Sequence, residues 1–318
     1  MNIGFVQVKI INQKIVIMLK MDAIGKIMNL KKLKNRFLNI VSGIQYLPYY
    51  FQKHIFLGVA VPPLYKGKSY NWGDDVSIVL AEILAKKKII PYKFSFISST
   101  NYLCIGSIIQ WYSNKKAIIW GAGLLHYATN INKPYKVLAV RGPLTRQCLL
   151  DNGIQCPEIY GDPALLFPLF YQPINTTKKY QIGIICHYSE LKKTPISFPP
   201  LIPKDEILFI NISHYSKWTD FIDQICQCQC IISSSLHGLI ISDAYRVPNI
   251  WTSFSNNLKE NYDFKFQDYF LSVNKRNVKI SMYTELINRP NLIEYIKNKW
   301  IRPQINLEML LSVCPFKA

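Results

Sequence analysis

The chain has 318 residues, 49% of them apolar and 18% charged, which excludes an intrinsically disordered protein and is enough for two folded domains. Its formal net charge of +19 should attract nucleic acid, anionic lipid or small polyanions, but no helix-turn-helix, zinc-finger or RNA-binding motif supports nucleic acid as the partner. The sequence contains no run of about 20 apolar residues, so no membrane-spanning helix is predicted.

Much of the positive charge lies near the N-terminus. Residues 1–70 contain ten Lys and one Arg but only one acid, Asp22, which gives a net charge of +10. Between residues 24 and 38, apolar side chains recur at helical spacing with basic residues between them, a pattern typical of an amphipathic helix on an anionic membrane surface. A helix packed on the protein body fits the same pattern. Because no signal-peptide cleavage site follows, we expect a cytoplasmic protein whose basic extension, residues 1–50, can bind the inner face of the membrane.

The eight cysteines lie mostly inside apolar runs, which indicates reduced thiols in a cytosolic protein. Cys226, Cys228 and Cys230 alternate like half of a metal site, but no second cluster with ligand spacing accompanies them. With a period of two, these three side chains should share one face of a strand. The sequence therefore predicts structural cysteines, and we expect neither a metal nor a cofactor.

From residue 71 onward, short apolar runs alternate with helical stretches, which predicts an α/β fold with parallel sheets. The first series has strands at 102–105, 117–120, 136–140 and 158–160 and helices at 75–86 and 143–152. After a polar stretch at 171–180, a second series has strands at 181–186, 207–211 and 230–233 and helices at 218–226 and 239–245. We therefore predict two Rossmann-like domains facing a cleft, residues 51–172 and 173–290. In the remaining residues, 291–318, a helix at 292–299 is expected to cross back onto the first domain.

One strand-to-helix junction has the composition of an anion-binding and proton-transfer site. The buried run before residue 233 ends in three serines, a leucine, His237 and a glycine that opens a helix. The carboxyl end of a parallel strand is where α/β folds bind ligands, and free N–H groups of the next helix attract anions. His237 has a pKa suited to acid or base catalysis. The predicted substrate-binding residues at this junction are Ser233, Ser234, Ser235 and Gly238.

Further candidate residues follow other predicted strands or precede helices. Arg141 ends one strand and Arg146 lies about one helical turn later, where guanidinium groups can bind a carboxylate or phosphate. The other candidates are capping or backbone-approach positions at Asn71, Gly73, Asp74, Gly121, Gly123 and Asp162.

Taken together and in order, these segments resemble the bacterial polysaccharide pyruvyltransferase family. The resemblance covers roughly residues 65 to 275. The matching segments are Asn-Trp-Gly-Asp at 71–74, Trp-Gly-Ala-Gly at 120–123, Arg-Gly-Pro-Leu-Thr at 141–145, Gly-Asp-Pro-Ala-Leu-Leu at 161–166, Ser-Ser-Ser-Leu-His-Gly at 233–238, and the later stretches 243–248 and 264–270.

The resemblance implies a glycosyltransferase-B-like fold, phosphoenolpyruvate as donor, and a sugar of a capsule, exopolysaccharide or wall polymer as acceptor. Family members use the residues that match His237 and Arg141. Some also carry an arginine two positions before the histidine, where this chain has Ser235, and Arg246 is the candidate substitute.

The expected reaction joins the three-carbon unit of phosphoenolpyruvate to two sugar hydroxyls as a cyclic ketal, with His237 as acid or base and Arg141 on the donor. Asp162 is a candidate for ordering the acceptor. Two other functions fit the same fold. A glycosyltransferase would use a sugar nucleotide as donor, and a non-catalytic module would bind anionic glycans without needing His237.

Overall fold

The structure, a computed structural model, describes residues 39–40, 43–60, 71–95, 97, 99–174, 177–187, 189–190, 196–254, 263–275 and 281–316. The predicted amphipathic helix between residues 24 and 38 lies outside the described residues. Within the described part of the chain, no helix is both long and apolar enough to cross a membrane.

The first half of the chain forms a five-stranded parallel sheet. Its strands are β1 (His54–Leu57), β2 (Lys88–Pro91), β3 (Asn101–Leu103), β4 (Ala117–Trp120) and β5 (Lys136–Ala139). They pair in the order β2-β1-β3-β4-β5. The helices of this half are α1 (Leu47–Tyr50), α2 (Trp72–Ala85), α3 (Ile109–Tyr112) and α4 (Pro143–Asp151), with 3₁₀ helices at Tyr92–Phe94 and Pro163–Leu169.

The second half forms another five-stranded parallel sheet. Its strands are β6 (Tyr180–Ile185), β7 (Ile207–Phe209), β8 (Cys228–Ser233), β9 (Asn249–Ser253) and β10 (Ser281–Met282). They pair in the order β10-β9-β8-β6-β7. The helices are α5 (Trp218–Cys226), α6 (Leu236–Ala244), α7 (Asp263–Ser272), α8 (Tyr283–Ile287), α9 (Leu292–Lys299) and α10 (Leu307–Ser312), with a 3₁₀ turn at Lys204–Glu206. The prediction of an α/β fold with parallel sheets is confirmed.

A continuous apolar core joins the two sheets. Trp72, the first residue of α2, packs its ring 4.7 Å from that of Phe221 on α5. Its indole N–H donates to the carbonyl of Trp218 over 2.8 Å, which satisfies the polar group of a fully buried side chain. The start of α2 is therefore held against the second sheet, although the helix belongs to the first half.

The C-terminal residues return to the first sheet, but not through the predicted helix. Helix α9, at residues 292–299, packs on β8 and β9 of the second sheet. The segment after it makes the crossing. The indole of Trp120 donates to the Leu310 carbonyl over 2.9 Å, and the ring of Phe316 lies 5.7 Å from that of Trp120.

Three predicted details were wrong. Residues 158–160 do not form a strand, since only Tyr160 makes an isolated bridge to Val140. Cys226 ends helix α5, so it cannot share a strand face with the two later cysteines. Helix α6 begins at Leu236 rather than near residue 239, which places His237 and Gly238 inside its first turn.

A buried acid fixes α7 against α6. Asp243 accepts from Lys275 over 2.6 and 2.7 Å, from Tyr269 over 2.7 Å and from the Trp300 indole over 2.8 Å. A buried carboxylate is tolerated when it is paired and hydrogen-bonded in this way. Because Tyr269 belongs to α7, the network fixes the position of the helix that carries Lys265 and Asp268.

Candidate active site

The candidate site lies where the carboxyl ends of the two sheets meet around the start of α2. The Trp72 N–H donates to the carbonyl of Ile212, just beyond β7, over 2.9 Å. The next residue, Gly73, touches His237 in the first turn of α6, just beyond β8. Asn71, Gly73 and His237, which the sequence placed in separate motifs, are thus brought together by packing of the two halves.

His237 sits against a glycine that has no room for a side chain. A Cβ on Gly73 would lie only 2.6 Å from Cε1 of the imidazole, so only glycine allows the ring this position. The Nε2 atom of His237 is enclosed and has no hydrogen-bond partner among the described residues. A buried polar atom without a partner is costly in a folded protein, and it indicates a position where a bound molecule completes the site.

The charge state of His237 follows from its surroundings. Burial, together with the nearby positive charges of Lys265 and Arg141, lowers its pKa to about 3. The imidazole is therefore neutral at pH 7 in the unliganded protein. A neutral imidazole can accept a proton from a hydroxyl, but a pKa near 3 makes it a weak base in the free protein. An anion bound next to Lys265 and Arg141 raises the pKa of His237 toward the range that a base needs.

Arg141 is completely buried and is anchored by three protein acceptors. Its Nε lies 3.1 Å from the Asp268 carboxylate, while its terminal nitrogens donate to Ser107 Oγ over 2.7 Å and to the Leu124 carbonyl over 2.6 Å. Guanidinium has five N–H donors, so three are committed to holding the side chain. The sequence predicted a guanidinium gripping a ligand, whereas most of its donors bind the protein and fix α7 to the first sheet.

Lys265 is a site residue that the sequence analysis did not select, although the motif at 264–270 contains it. It lies in the first turn of α7 and is only 8% exposed. Burial lowers the pKa of its ammonium to about 8, as does Arg141, while Asp74 and Glu190 act in the opposite direction. Two cations, Lys265 and Arg141, therefore lie close enough to His237 to influence its ionisation.

Asp74 provides a carboxyl group near Lys265. Its Oδ2 accepts from the Asn71 side chain over 2.8 Å at the start of α2. Burial raises its pKa to about 6, the hydrogen bond from Asn71 and the charge of Lys265 oppose the rise, and Asp75 adds to it. The sequence predicted Asp74 as a helix cap, but α2 begins at Trp72, so Asp74 lies inside the first turn with a carboxyl group that titrates near neutral pH.

Asp162 is a second buried acid at the carboxyl edge of the first sheet. One oxygen accepts from the Ala164 N–H over 3.0 Å, and the other is buried without a partner among the described residues. Burial raises its pKa to about 6, although Arg141 opposes the shift.

The two predicted glycines of the first sheet pack against protein rather than leaving the backbone open to a ligand. Gly121 has a positive φ of 84°, and a Cβ there would lie 2.9 Å from the Gly161 carbonyl oxygen and collide with Pro163. A Cβ on Gly123 would lie 2.6 Å from a terminal nitrogen of Arg141. Both positions therefore require glycine for close packing.

Two of the three serine hydroxyls of the 233–238 junction are used within the protein. Ser233 Oγ accepts from the Ser235 N–H over 3.0 Å and donates to its carbonyl over 2.9 Å. Ser234 Oγ accepts from the His187 N–H over 2.8 Å and donates to Glu190. The donors that remain for an anion are the Ser235 hydroxyl and the backbone N–H groups of the first turn of α6, a helix that begins without a side-chain cap. Gly238 is required there, because a Cβ would collide with Ser233 Oγ.

His187 is a second histidine that sequence reasoning missed. It follows β6, the strand next to β8, and its Nδ1 lies 2.7 Å from Ser189 Oγ. Burial, with Lys265 and His237 acting in the same direction, lowers its pKa to about 3. Only the pairing of β6 with β8 brings this residue to the site.

Two predicted arginines lie away from His237. Arg146 donates to the Cys156 carbonyl over 3.1 Å and pairs with Glu158 over 3.1 Å on the outer side of the first sheet. Arg246 is exposed and follows the C-terminal end of α6, with a φ of 57°. A helix of this length separates its two ends by about 13 Å, so Arg246 does not occupy the space next to Ser235.

Fold and site together define an α/β protein with a histidine, a carboxyl group and two buried cations between two parallel sheets. The model of the polysaccharide pyruvyl transferase family matches residues 38–256, and the chain belongs to this family. Membership identifies the protein as a transferase of pyruvyl groups with a saccharide acceptor.

The chain is also similar to individual proteins. Succinoglycan biosynthesis protein ExoV of Rhizobium meliloti is 26% identical over 65% of this chain and 63% of its own length. An uncharacterized protein of Acanthamoeba polyphaga mimivirus is 30% identical over 64% of this chain and 70% of its own. Among solved structures, a functionally uncharacterized protein of Klebsiella pneumoniae covers 76% of this chain and 96% of its own, with 15% identity and a TM-score of 0.41.

Proposed function

We propose that this protein transfers the pyruvyl group of phosphoenolpyruvate to two hydroxyls of a surface-polysaccharide sugar, forming a cyclic ketal and releasing phosphate. The observation that carries the proposal is the pair of buried cations, Arg141 and Lys265, beside a neutral His237 whose Nε2 has no partner among the described residues. Such a site fits a small, highly charged anion next to a base.

The two parallel sheets support the proposal of two Rossmann-like halves around a glycosyltransferase-B-like cleft. In α/β folds ligands bind at the carboxyl ends of strands, and here His237 follows β8 while Arg141 follows β5. Both sheets thus contribute to one donor site, and the acceptor sugar enters between them.

Lys265 and the first turn of α6 bind the phosphate and carboxylate of the donor. Lys265 is a compact charge on a flexible stem, which suits a phosphate, and backbone N–H groups at a helix start add donors. Some family members have an arginine at the position of Ser235. In this chain Lys265, rather than Arg246, supplies that positive charge. Arg141 contributes its positive charge to the site and positions α7 through its ion pair with Asp268.

The reaction adds one proton to a carbon of the donor and removes two protons from the sugar hydroxyls. Protonation of the donor's methylene carbon makes the central carbon electrophilic, and the first sugar hydroxyl attacks it and loses its proton to neutral His237. The second hydroxyl then attacks the same carbon, the bond to phosphate breaks, and phosphate leaves with the electron pair while the second hydroxyl proton goes to solvent or to phosphate. Two C–O bonds and one C–H bond form, while the carbon–carbon π bond and the C–O bond to phosphate break, which gives the ketal.

Asp74 is the candidate proton donor to the methylene carbon. Its pKa is already about 6, and an anionic donor bound beside it raises that value further. The carboxyl group is then protonated in the donor complex near neutral pH. A base and an acid with oppositely shifted ionisation in one site are the arrangement that acid–base catalysis requires.

The acceptor is proposed to be a lipid-linked or polymeric precursor of a capsule or exopolysaccharide, modified at the inner face of the cytoplasmic membrane. Purified protein incubated with phosphoenolpyruvate and such an acceptor should release inorganic phosphate. Release of a nucleoside diphosphate from a sugar nucleotide would instead identify a glycosyltransferase, and binding of glycan without turnover would identify a non-catalytic module.

The alkaline limb of the pH profile tests Lys265. Because its pKa is about 8 in the free protein, its charge is present below that pH and is lost above it. We expect kcat/KM for phosphoenolpyruvate to fall by about tenfold per pH unit above this value. The Lys265→Arg variant keeps its charge throughout the range, so its profile should lack this limb even if its activity is lower. An identical limb in both proteins would exclude Lys265 as its origin.

A second test uses the contact between Gly73 and His237. Gly73→Ala places a methyl group where the imidazole lies, so the ring must move, and we expect kcat to fall by about tenfold or more. In a His237→Ala background the obstacle is absent, and the same change should cost little further activity. Equal losses in both backgrounds would show that Gly73 acts through the fold and not through His237.

A further inference from the structure

Exposed apolar side chains and lysines share one face at the amino-terminal edge of the first sheet. Ile44, Leu47 and Phe51 are 53%, 44% and 91% exposed, at intervals of three and four residues. The docking face, as we define it, comprises Ile40, Ile44, Leu47, Phe51, Lys53, Lys86, Lys87 and Lys88.

The basic part of this face is held together by the first sheet. The Lys88 N–H donates to the Lys53 carbonyl over 2.9 Å, and the Lys88 ammonium lies 5.6 Å from the centre of the Tyr49 ring. Lys86 caps the C-terminal end of α2 with a left-handed φ of 50°, which turns the chain toward β2. The sequence has no acidic residue in 39–60 or 86–95, and the half-buried Glu82 lies one helical turn earlier.

We propose that this face binds the surface of an anionic lipid bilayer. Apolar side chains beside lysines match a bilayer interface, where the former enter the acyl boundary and the latter meet headgroup charges. A nucleic acid would use the lysines but gain little from Ile44 and Leu47. A second copy of the chain would bring the same positive charges face to face.

The docking face and the candidate active site lie at opposite ends of the strands. Strands β1 and β2 begin there, whereas the site around His237 lies beyond the carboxyl ends of the strands. Membrane binding therefore leaves the cleft uncovered. The docking face adds a surface to the membrane location that is part of the proposed function. Vesicle binding is measured without substrate, so it does not depend on the identity of the donor.

Co-sedimentation of the full-length protein with phosphatidylglycerol-containing vesicles tests the proposal. We expect binding at roughly 0.1 M salt, weak binding to neutral phosphatidylcholine vesicles, and release at roughly 0.5 M salt, where charge interactions are screened. Leu47→Ser/Phe51→Ser and Lys86→Glu/Lys87→Glu should each lower the partition coefficient by about tenfold or more. The matched controls, Ile174→Ser/Leu201→Ser and Lys115→Glu/Lys133→Glu, change exposed residues elsewhere and should bind like the parent.

Unchanged vesicle binding by both docking-face variants would overturn the proposal, as would equal losses in the controls. Analytical ultracentrifugation tests the alternative that the docking face mediates self-association. A dimer that Leu47→Ser/Phe51→Ser converts to monomer, with vesicle binding unaffected, would assign the face to a second copy. Phosphate release from phosphoenolpyruvate on a soluble acceptor should be the same for the parent and all four variants, so a failure of the proposed chemistry is seen separately.

Discussion

Replacing His237 by alanine should lower turnover by about 10²-fold or more while leaving the fold intact. The side chain has no hydrogen bond from Nε2 to lose among the described residues, and it lies in the first turn of α6, just beyond the carboxyl end of β8. The loss should therefore appear in kcat and not in thermal stability. Phosphate release at saturating phosphoenolpyruvate and acceptor, compared with the melting temperature, measures both effects.

His126→Ala provides the control, because this histidine is exposed on the surface of the first half. It should leave both activity and melting temperature unchanged. If His237→Ala retained turnover within a factor of a few of the parent, His237 would not be the base. A large drop in melting temperature would instead make its role structural.

The second large effect concerns stability. Arg141→Met should reduce the free energy of unfolding by about 3–5 kcal/mol, because it leaves the Asp268 carboxylate buried without its cation. Asp268 also accepts from the backbone and hydroxyl of Thr145 over 2.8 and 2.7 Å, so the loss affects the contact of α4 with α7. Denaturant titration followed by circular dichroism measures the change.

Arg146→Met is the matched control on α4. Its ion pair with Glu158 is largely exposed, with the glutamate side chain 71% accessible, so removing it should cost less than about 1 kcal/mol. Adding Asp268→Asn to Arg141→Met removes the uncompensated charge and should recover part of the stability. Equal costs for the two arginine variants would contradict the structural role assigned to Arg141.

The alternation of apolar runs with helical stretches predicted the parallel sheets, because strands buried on both faces appear as continuous apolar segments. β4 and α5 were predicted to the residue. Strand β1 was missed because it lies before residue 71, where the alternating pattern begins, and β2 was missed because it directly follows α2 and ends in proline. Strand β9 was also missed, although all five of its residues are buried.

The candidate site was predicted in part. His237 and the Asn71–Asp74 loop stand at junctions whose composition is informative by itself. Lys265 and His187 do not, because their importance depends on contacts between distant segments. Arg141 and Asp268, for example, are 127 positions apart. Arg246 was favoured because it is close to His237 in sequence, but a whole helix separates the two in space.

Transfer of label from phosphoenolpyruvate to a saccharide tests the central claim most directly. The purified protein would be incubated with donor carrying carbon-13 at its central carbon and with a lipid-linked oligosaccharide from the source cells, and the product followed by NMR and mass spectrometry. We expect the label to appear in the saccharide as a ketal carbon bonded to two sugar oxygens, with one phosphate released per label transferred and with transfer slower by about 10²-fold or more for His237→Ala. Consumption of a sugar nucleotide with no label in the saccharide would contradict the central claim.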